Sequence, residues 1–112
     1  MKTKISVFII TFNEEKIIGK CLEKLESFDE IIVVDSGSTD NTVAICESFG
    51  AKVIYRKFDN FGLQKQFALN QTNNDWTLSL DADEVLSDAL ITEISNLDFS
   101  LNYNAFTIPR TH

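Results

Sequence analysis

Apolar runs and amphipathic segments alternate along the whole chain. Each apolar run is rich in Ile, Val, Leu or Phe, which is typical of strands that helices cover on both faces. The segments between the runs carry apolar residues at helical spacing. This alternation predicts an α/β fold with a mostly parallel, Rossmann-like sheet and helices on both faces. The predicted order is strand 5–10, helix 17–25, strand 30–34, helix 43–49, strand 52–56, helix 63–72, strand 76–80, a helix capped by Ser87 with its core side reaching Leu97, and strand 105–108 stopped by Pro109.

Three carboxylates follow the fourth predicted strand: Asp81, Asp83 and Glu84. Open α/β sheets bind ligands at the carboxyl ends of their strands. Two carboxylates about 4 Å apart repel by roughly 4 kcal/mol at an effective dielectric of 20, so holding Asp81 and Asp83 together favours a proton or a divalent cation. Oxygen ligands indicate Mg²⁺ or Mn²⁺. The alternative is that these acids only end a strand and begin a turn, since a chain this rich in Asp contains an Asp-x-Asp pair roughly 0.7 times by chance.

Polar residues also follow the first two predicted strands. Thr11, Asn13 and Glu14 come after the first strand, and Asp35 ends the second. In a doubly wound sheet, the loops after strands one, two and four lie along one edge, so these residues and the acids at 81–84 are expected to share a crevice. There Asp35 suits an acceptor for ring or ribose hydrogen bonds. It equally suits a turn residue that bonds to nearby backbone.

Composition and charge exclude several classes of protein. The 112 residues, 44% of them hydrophobic, are expected to form one domain over 1–112 that buries roughly two thirds of its unfolded surface. The net charge of −7 argues against nonspecific binding to nucleic acid or anionic membrane, so any bound phosphate needs a bridging cation. No apolar stretch reaches the length of a membrane span, and no leader-type cleavage site follows Met1, which predicts a cytoplasmic protein.

The other residues with reactive or charged groups have plainer explanations. Cys21 and Cys46 lie in helix-like segments and match no metal-binding spacing, so buried, reduced thiols are expected. Lys65 could add positive potential to the crevice, but a solvated helix face is the stronger interpretation. Its neighbours Gln64 and Gln66 carry little information.

Three ordered motifs resemble the opening motifs of family 2 glycosyltransferases. They lie at residues 6–15, 32–42 and 80–84, and residues 61–70 are similar to the helix that intervenes in that family. The resemblance covers essentially the whole chain, and three motifs at the family's spacing are a specific signal. Within the family, the residues of these motifs most resemble those of enzymes that add glucose to the inner core of lipopolysaccharide.

The resemblance implies a GT-A fold whose amino-terminal half binds a nucleotide-sugar, usually a UDP-sugar, for transfer to a glycan or lipid-linked acceptor. It also implies a Mn²⁺ or Mg²⁺ ion that stabilises the leaving UDP as a Lewis acid. By position, Asp83 would coordinate the metal with Asp81, Asp35 would accept from the uracil ring, and the nucleotide contacts would come from Thr11, Phe12, Asn13, Glu14, Asp35, Lys65 and Asp81.

The chain departs from the family in length, since family members are roughly twice as long, the size of a larger single domain. The resemblance places the catalytic base and the acceptor site in the other half, and no residue here is an obvious base. A donor-binding half with an open sheet edge is expected to self-associate or to pair with a partner chain. A non-catalytic nucleotide-binding or interaction protein is the alternative.

Two other classes of α/β protein match less well. A receiver-type Mg²⁺-binding signalling domain needs an acid pair after the first strand and a Lys after the last, and neither 13–15 nor 109–110 fits. A nucleotidyltransferase needs a Gly-rich loop with Arg after the first strand, and residues 11–15 contain neither.

Overall fold

A computed structural model describes residues 4–95 and 106–107. Its strands form one sheet in the order β3-β2-β1-β4-β5, and each neighbouring pair is parallel. The sheet confirms the predicted Rossmann-like architecture, because the chain winds outward from β1 in both directions. The elements are β1 (Ile5–Thr11), α1 (Ile18–Glu23), β2 (Glu30–Asp35), α2 (Thr42–Ser48), β3 (Lys52–Tyr55), α3 (Phe61–Asn70), β4 (Trp76–Asp81), α4 (Asp88–Ser95) and β5 (Phe106–Thr107).

Helices pack on both faces of the sheet. On one face, Leu22 of α1 and Ile94 of α4 share the larger core with Val7 of β1, and α2 also contributes to this core. On the other face, Ala68 of α3 shares a smaller core with Phe8. Val7 and Phe8 belong to different cores because successive residues of a strand point to opposite faces. Among the described residues, no helix has the length and apolar character needed to cross a bilayer.

Both cysteines are free and buried, as predicted. Burial raises the pKa of the Cys21 thiol to about 12, and the nearby Glu84 and Asp83 carboxylates contribute to the rise. Burial likewise raises the pKa of Cys46 to about 11. Both thiols therefore stay protonated and weakly nucleophilic at neutral pH.

The observed helix ends show how local hydrogen bonds set the boundaries. The predicted start of α3 at residue 63 was wrong, because Asn60 Oδ1 accepts a bond from the Leu63 amide at 2.9 Å and the helix begins at Phe61. The predicted cap of α4 is confirmed, since Ser87 Oγ accepts from the Leu90 amide at 3.1 Å. Leu97, Pro109 and the ends of the predicted strand 105–108 lie outside the described residues.

A polar network fixes the amino-terminal edge of the sheet, opposite the strand ends that carry the acids. Glu30 of β2 accepts from Ser6 Oγ of β1 at 2.8 Å and from the Asn73 amide before β4 at 2.8 Å. Burial by itself would raise the pKa of Glu30, but the bonds from Asn73 and Ser6 outweigh it and lower that pKa. The three strands are thereby tied together in one register.

Candidate functional site

The carboxyl ends of four strands lie side by side. Thr11 of β1 pairs in register with Asp35 of β2, and Asp35 pairs with Tyr55 of β3. On the other side of β1, Ile10 pairs with Asp81 of β4. The predicted adjacency of the ends of strands one, two and four is therefore confirmed. It follows from the strand order, which places β1 in the middle.

A cavity of about 420 Å³ opens at this edge. Its volume is within the range of small-molecule sites. Phe12, Phe58 and Phe61 remain 53%, 41% and 67% exposed there, and the rings of Phe58 and Phe61 meet edge to face with centroids 5.0 Å apart. Exposed aromatic faces of this kind suit a ligand with a flat or apolar surface. The cavity is lined by Ile10, Thr11, Phe12, Glu14, Ser36, Phe58 and Phe61.

Hydrogen bonds join the loop after β1 to the loop after β2. Asn13 has a positive φ of 50°, its amide donates to Ser38 Oγ at 2.7 Å, and its side-chain oxygen accepts from the Thr39 amide at 2.8 Å. The Glu14 amide donates to Thr42 Oγ1 at 2.7 Å. Asn13 thus links the two loops that border the cavity. Its predicted contact with a nucleotide remains a prediction.

Asp35 is the centre of a second set of bonds and is only 3% exposed. Its Oδ1 accepts from Thr11 Oγ1 at 2.8 Å and from Ser38 Oγ at 2.6 Å. Its Oδ2 accepts from the amides of Gly37 at 3.0 Å and Ser38 at 2.7 Å. These contacts match the turn-residue interpretation of Asp35. Its predicted bond to a uracil ring remains a prediction.

Several carboxylates gather where β4 ends. Glu84 Oε1 accepts from the Asp81 amide at 2.8 Å. Asp83, which lies between these two residues in the sequence, is exposed. Burial raises the pKa of Glu14 above its usual value, and the charges of Asp83 and then Asp40 raise it further. The loop after β1 and the loop after β4 therefore share one region of negative potential.

The acids suit a cation that takes some of its ligands from a phosphate. Among residues 4–95 and 106–107, no group of three or more His, Cys, Asp or Glu side chains is arranged to hold an ion by itself. Asp81 and Asp83 offer two carboxylates, however, and Mg²⁺ is commonly bound by one or two carboxylates together with substrate phosphates and water. The donor set therefore fits Mn²⁺ or Mg²⁺ completed by a diphosphate.

Sequence reasoning missed the contact that seats α3 at this edge. Gln64 is fully buried, its Oε1 accepts from Arg56 Nη1 at 2.7 Å, and its Nε2 donates to the Arg56 carbonyl at 3.1 Å. The Arg56 guanidinium also lies 5.4 Å from the centre of the Phe67 ring. Gln64 lies four residues before the buried Ala68, and this i, i+4 spacing could have indicated from the sequence that Gln64 is on the buried face of the helix. Lys65, on the same helix, is half-buried, and its predicted contact with a nucleotide remains a prediction.

Four residues that line the cavity were also absent from the predicted site: Ile10, Ser36, Phe58 and Phe61. Ser36 directly follows the acid that ends β2. Phe58 and Phe61 are aromatic residues in or beside an otherwise polar loop, and this pattern could have indicated that they line a ligand site.

Residues 6–103 match the family described as "Glycosyl transferase family 2". LpsC, a lipopolysaccharide core biosynthesis glycosyltransferase of Rhizobium meliloti (strain 1021), is 45% identical over 94 residues, which cover 80% of this chain and 35% of LpsC. An uncharacterized glycosyltransferase of Rickettsia felis is 47% identical over 104 residues, which cover 92% of this chain and 37% of the relative. The chain thus spans little more than a third of these relatives.

Solved structures share the fold. TarS of S. aureus, residues 1–349, superposes with a TM-score of 0.72 at 29% identity, over 82% of this chain and 31% of TarS. The glucosyl-3-phosphoglycerate synthase of Mycobacterium tuberculosis, in complex with Mn²⁺, UDP and glucosyl-3-phosphoglycerate, superposes with a TM-score of 0.62 at 29% identity. That match covers 71% of this chain and 33% of the synthase.

Proposed function

The chain belongs to glycosyl transferase family 2, and on that premise we propose that it is the donor-binding part of an enzyme that transfers a sugar from a UDP-sugar. The observation that carries the proposal is the row of strand ends at Thr11, Asp35 and Asp81, with a cavity of about 420 Å³ beside it. The synthase bound to UDP and Mn²⁺ supports the choice of nucleotide.

Asp83, together with Asp81, would hold the divalent cation. When bound, the ion would neutralise the diphosphate and stabilise charge on the leaving UDP as a Lewis acid. The negative potential shared by Asp83 and Glu14 supports this assignment, because a bound cation would relieve it. In a chain of net charge −7, the carboxylates would otherwise repel a diphosphate from this edge.

The remaining residues would position the nucleoside. The backbone at Thr11 and Phe12, together with Glu14, would contact the base and ribose, and Lys65 would add positive charge toward the phosphates. Asn13 lies at the junction of two loops and would keep that backbone in place. The likeness to LpsC supports a lipopolysaccharide-core or other cell-envelope acceptor for the whole protein.

Calorimetric titration of the 112-residue chain with UDP, in Mn²⁺ and in EDTA, tests the proposal. We expect UDP to bind in Mn²⁺ and Asp83→Ala to weaken it by more than about tenfold, since one of two metal carboxylates is lost. Asp75→Ala is the matched control, because Asp75 is an exposed acid just before the opposite end of β4. Equal affinity for UDP in Mn²⁺ and in EDTA would contradict the proposal.

A further inference from the structure

The turn that follows β4 is closed by two hydrogen bonds between its first and last residues. The Glu84 amide donates to the Asp81 carbonyl at 3.0 Å, which is the ordinary main-chain bond of a β-turn. Glu84 Oε1 accepts from the Asp81 amide at 2.8 Å. Glu84 therefore binds both main-chain polar groups of Asp81, one through its own main chain and one through its side chain.

The core holds the same turn from the other side. Ala82 is only 5% exposed and Leu86 only 4%, and both belong to the larger core. Asp83, between Ala82 and Glu84, is exposed. The main chain that carries the exposed carboxylate is thus fixed by apolar packing on both sides in sequence and by the two bonds that join the ends of the turn.

Helix α1 adds a weaker contact to this turn. Cys21 is fully buried, and its thiol donates to the Asp81 carbonyl with a sulfur–oxygen distance of 4.0 Å. That carbonyl also accepts from the Glu84 amide, so its two lone pairs have donors. The contacts from Cys21 and Glu84 hold the main chain of Asp81 and leave its carboxylate to other partners.

The acids after β4 do not form a three-carboxylate metal site. Among residues 4–95 and 106–107, no three acidic side chains are placed to hold one ion, so Glu84 does not complete a cluster with Asp81 and Asp83. Glu84 Oε1 instead accepts from a main-chain amide. The position of Glu84 therefore fits a residue that shapes the turn better than a third ligand.

We propose that Glu84 is a positioning residue, which holds the 81–84 turn in the conformation that presents Asp83 to the cation and does not bind the cation itself. This inference rests on the proposed function. A turn that is already in its binding conformation loses less conformational freedom when the ion binds. Residues that orient the ligands of a metal in this way typically contribute 10–100-fold to its affinity.

The role needs an acceptor oxygen at position 84 and not a negative charge. The side-chain carbonyl of Gln can accept from the Asp81 amide as the carboxylate does, whereas Ala cannot. An acidic metal ligand behaves differently, because its amide analogue loses the charge that attracts the cation. Comparison of Gln and Ala at position 84 with Asn and Ala at position 83 therefore distinguishes a positioning residue from a ligand.

The first test is calorimetric titration of the 112-residue chain with UDP in Mn²⁺. We expect Glu84→Ala to weaken binding by about tenfold and Glu84→Gln to stay within about threefold of wild type. Asp83→Asn is expected to weaken binding by more than about tenfold, as Asp83→Ala does. Glu93→Ala is the control, because Glu93 is an exposed glutamate of α4, and we expect it to match wild type.

The second test needs neither metal nor nucleotide. Hydrogen exchange of the Asp81 amide, followed by NMR, reports on the bond to the Glu84 side chain directly. Without Mn²⁺, this amide is expected to exchange about tenfold faster in Glu84→Ala than in wild type, and at nearly the wild-type rate in Glu84→Gln. Urea unfolding of each variant establishes that the change is local and that the fold is retained.

The possible results separate this inference from the proposed function. If UDP binds in a Mn²⁺-dependent way but Glu84→Gln binds as weakly as Glu84→Ala, Glu84 acts through its charge, so this inference is overturned and the proposed function stands. A Glu84→Ala variant that matches Glu93→Ala also overturns it. If Glu84→Ala does not fold, Glu84→Gln carries the test, and a loss well beyond threefold overturns the inference. Failure of wild type to bind UDP with Mn²⁺ overturns both.

Discussion

The observed contacts of Asp35 hold together the two loops that follow β1 and β2. Its carboxylate binds the side chain of Thr11 and three groups of the following turn. The bonds hold the loops after β1 and β2 at the distance that the cavity requires. Loss of the Asp35 carboxylate is therefore expected to displace both Thr11 and Ser36, which line the cavity.

Glu14 provides a prediction at the same scale. Its pKa is raised by burial and by the charges of Asp83 and Asp40, so the folded state holds its proton more tightly than the unfolded state. The contribution of Glu14 to stability should therefore fall as pH rises from 4.5, the ordinary value, through the raised pKa. Glu14→Gln removes this loss, and we expect its free energy of unfolding to decline less with pH over that interval than that of wild type.

Urea unfolding at a series of pH values measures the effect. Glu47→Gln is the matched control, since Glu47 is an exposed glutamate on α2. We expect the control to follow the wild-type curve. A Glu14→Gln curve parallel to wild type through the whole interval would show that Glu14 does not sense the acids at the end of β4.

At the scale of elements, the positions of strands and helices could be predicted because the buried strands are mostly apolar runs. The adjacency of Thr11, Asp35 and Asp81 could also be predicted, because the strand order places these three strand ends side by side. That Ser36 rather than Asp35 lines the cavity could not be predicted, since a shift of one residue moves a side chain to the other face of the sheet. The early start of α3 depended on a single capping bond from Asn60.

Gln64 gives the prediction for the elements. It joins α3 to the end of β3 through two hydrogen bonds with Arg56, one of them to the charged guanidinium. Gln64→Ala should lower the free energy of unfolding by about 1–3 kcal/mol, because a buried, charge-assisted bond is lost. Gln66→Ala is the matched control on the same helix, since Gln66 is exposed and its side chain donates to the exposed Asn70. Its expected effect on stability in urea is within about 0.5 kcal/mol. Equal effects of the two substitutions would contradict the role of Gln64.

At the scale of the whole molecule, two acidic regions of the described residues can be compared as places for a cation. One is the carboxyl edge of the sheet, with Glu14, Asp81 and Asp83. The other is a cavity of about 620 Å³ at the amino edge, where Glu23, Glu26 and Asp29 are among the lining residues. Aromatic and hydroxyl side chains line both cavities, but the first lies at the carboxyl ends of the strands, where open α/β sheets bind ligands. The predicted self-association and cytoplasmic location remain predictions at this scale.

Paramagnetic broadening by Mn²⁺ in the NMR spectrum of the 112-residue chain tests the central claim most directly. The claim is that a divalent cation and UDP bind together at the carboxyl edge. We predict that Mn²⁺ with UDP broadens the amide signals of residues 12–14, 36–37 and 81–84 while those of 28–30 and 73–74 stay sharp. Broadening centred on residues 23–30 would contradict it. The same broadening with Mn²⁺ alone as with Mn²⁺ and UDP together would also contradict it.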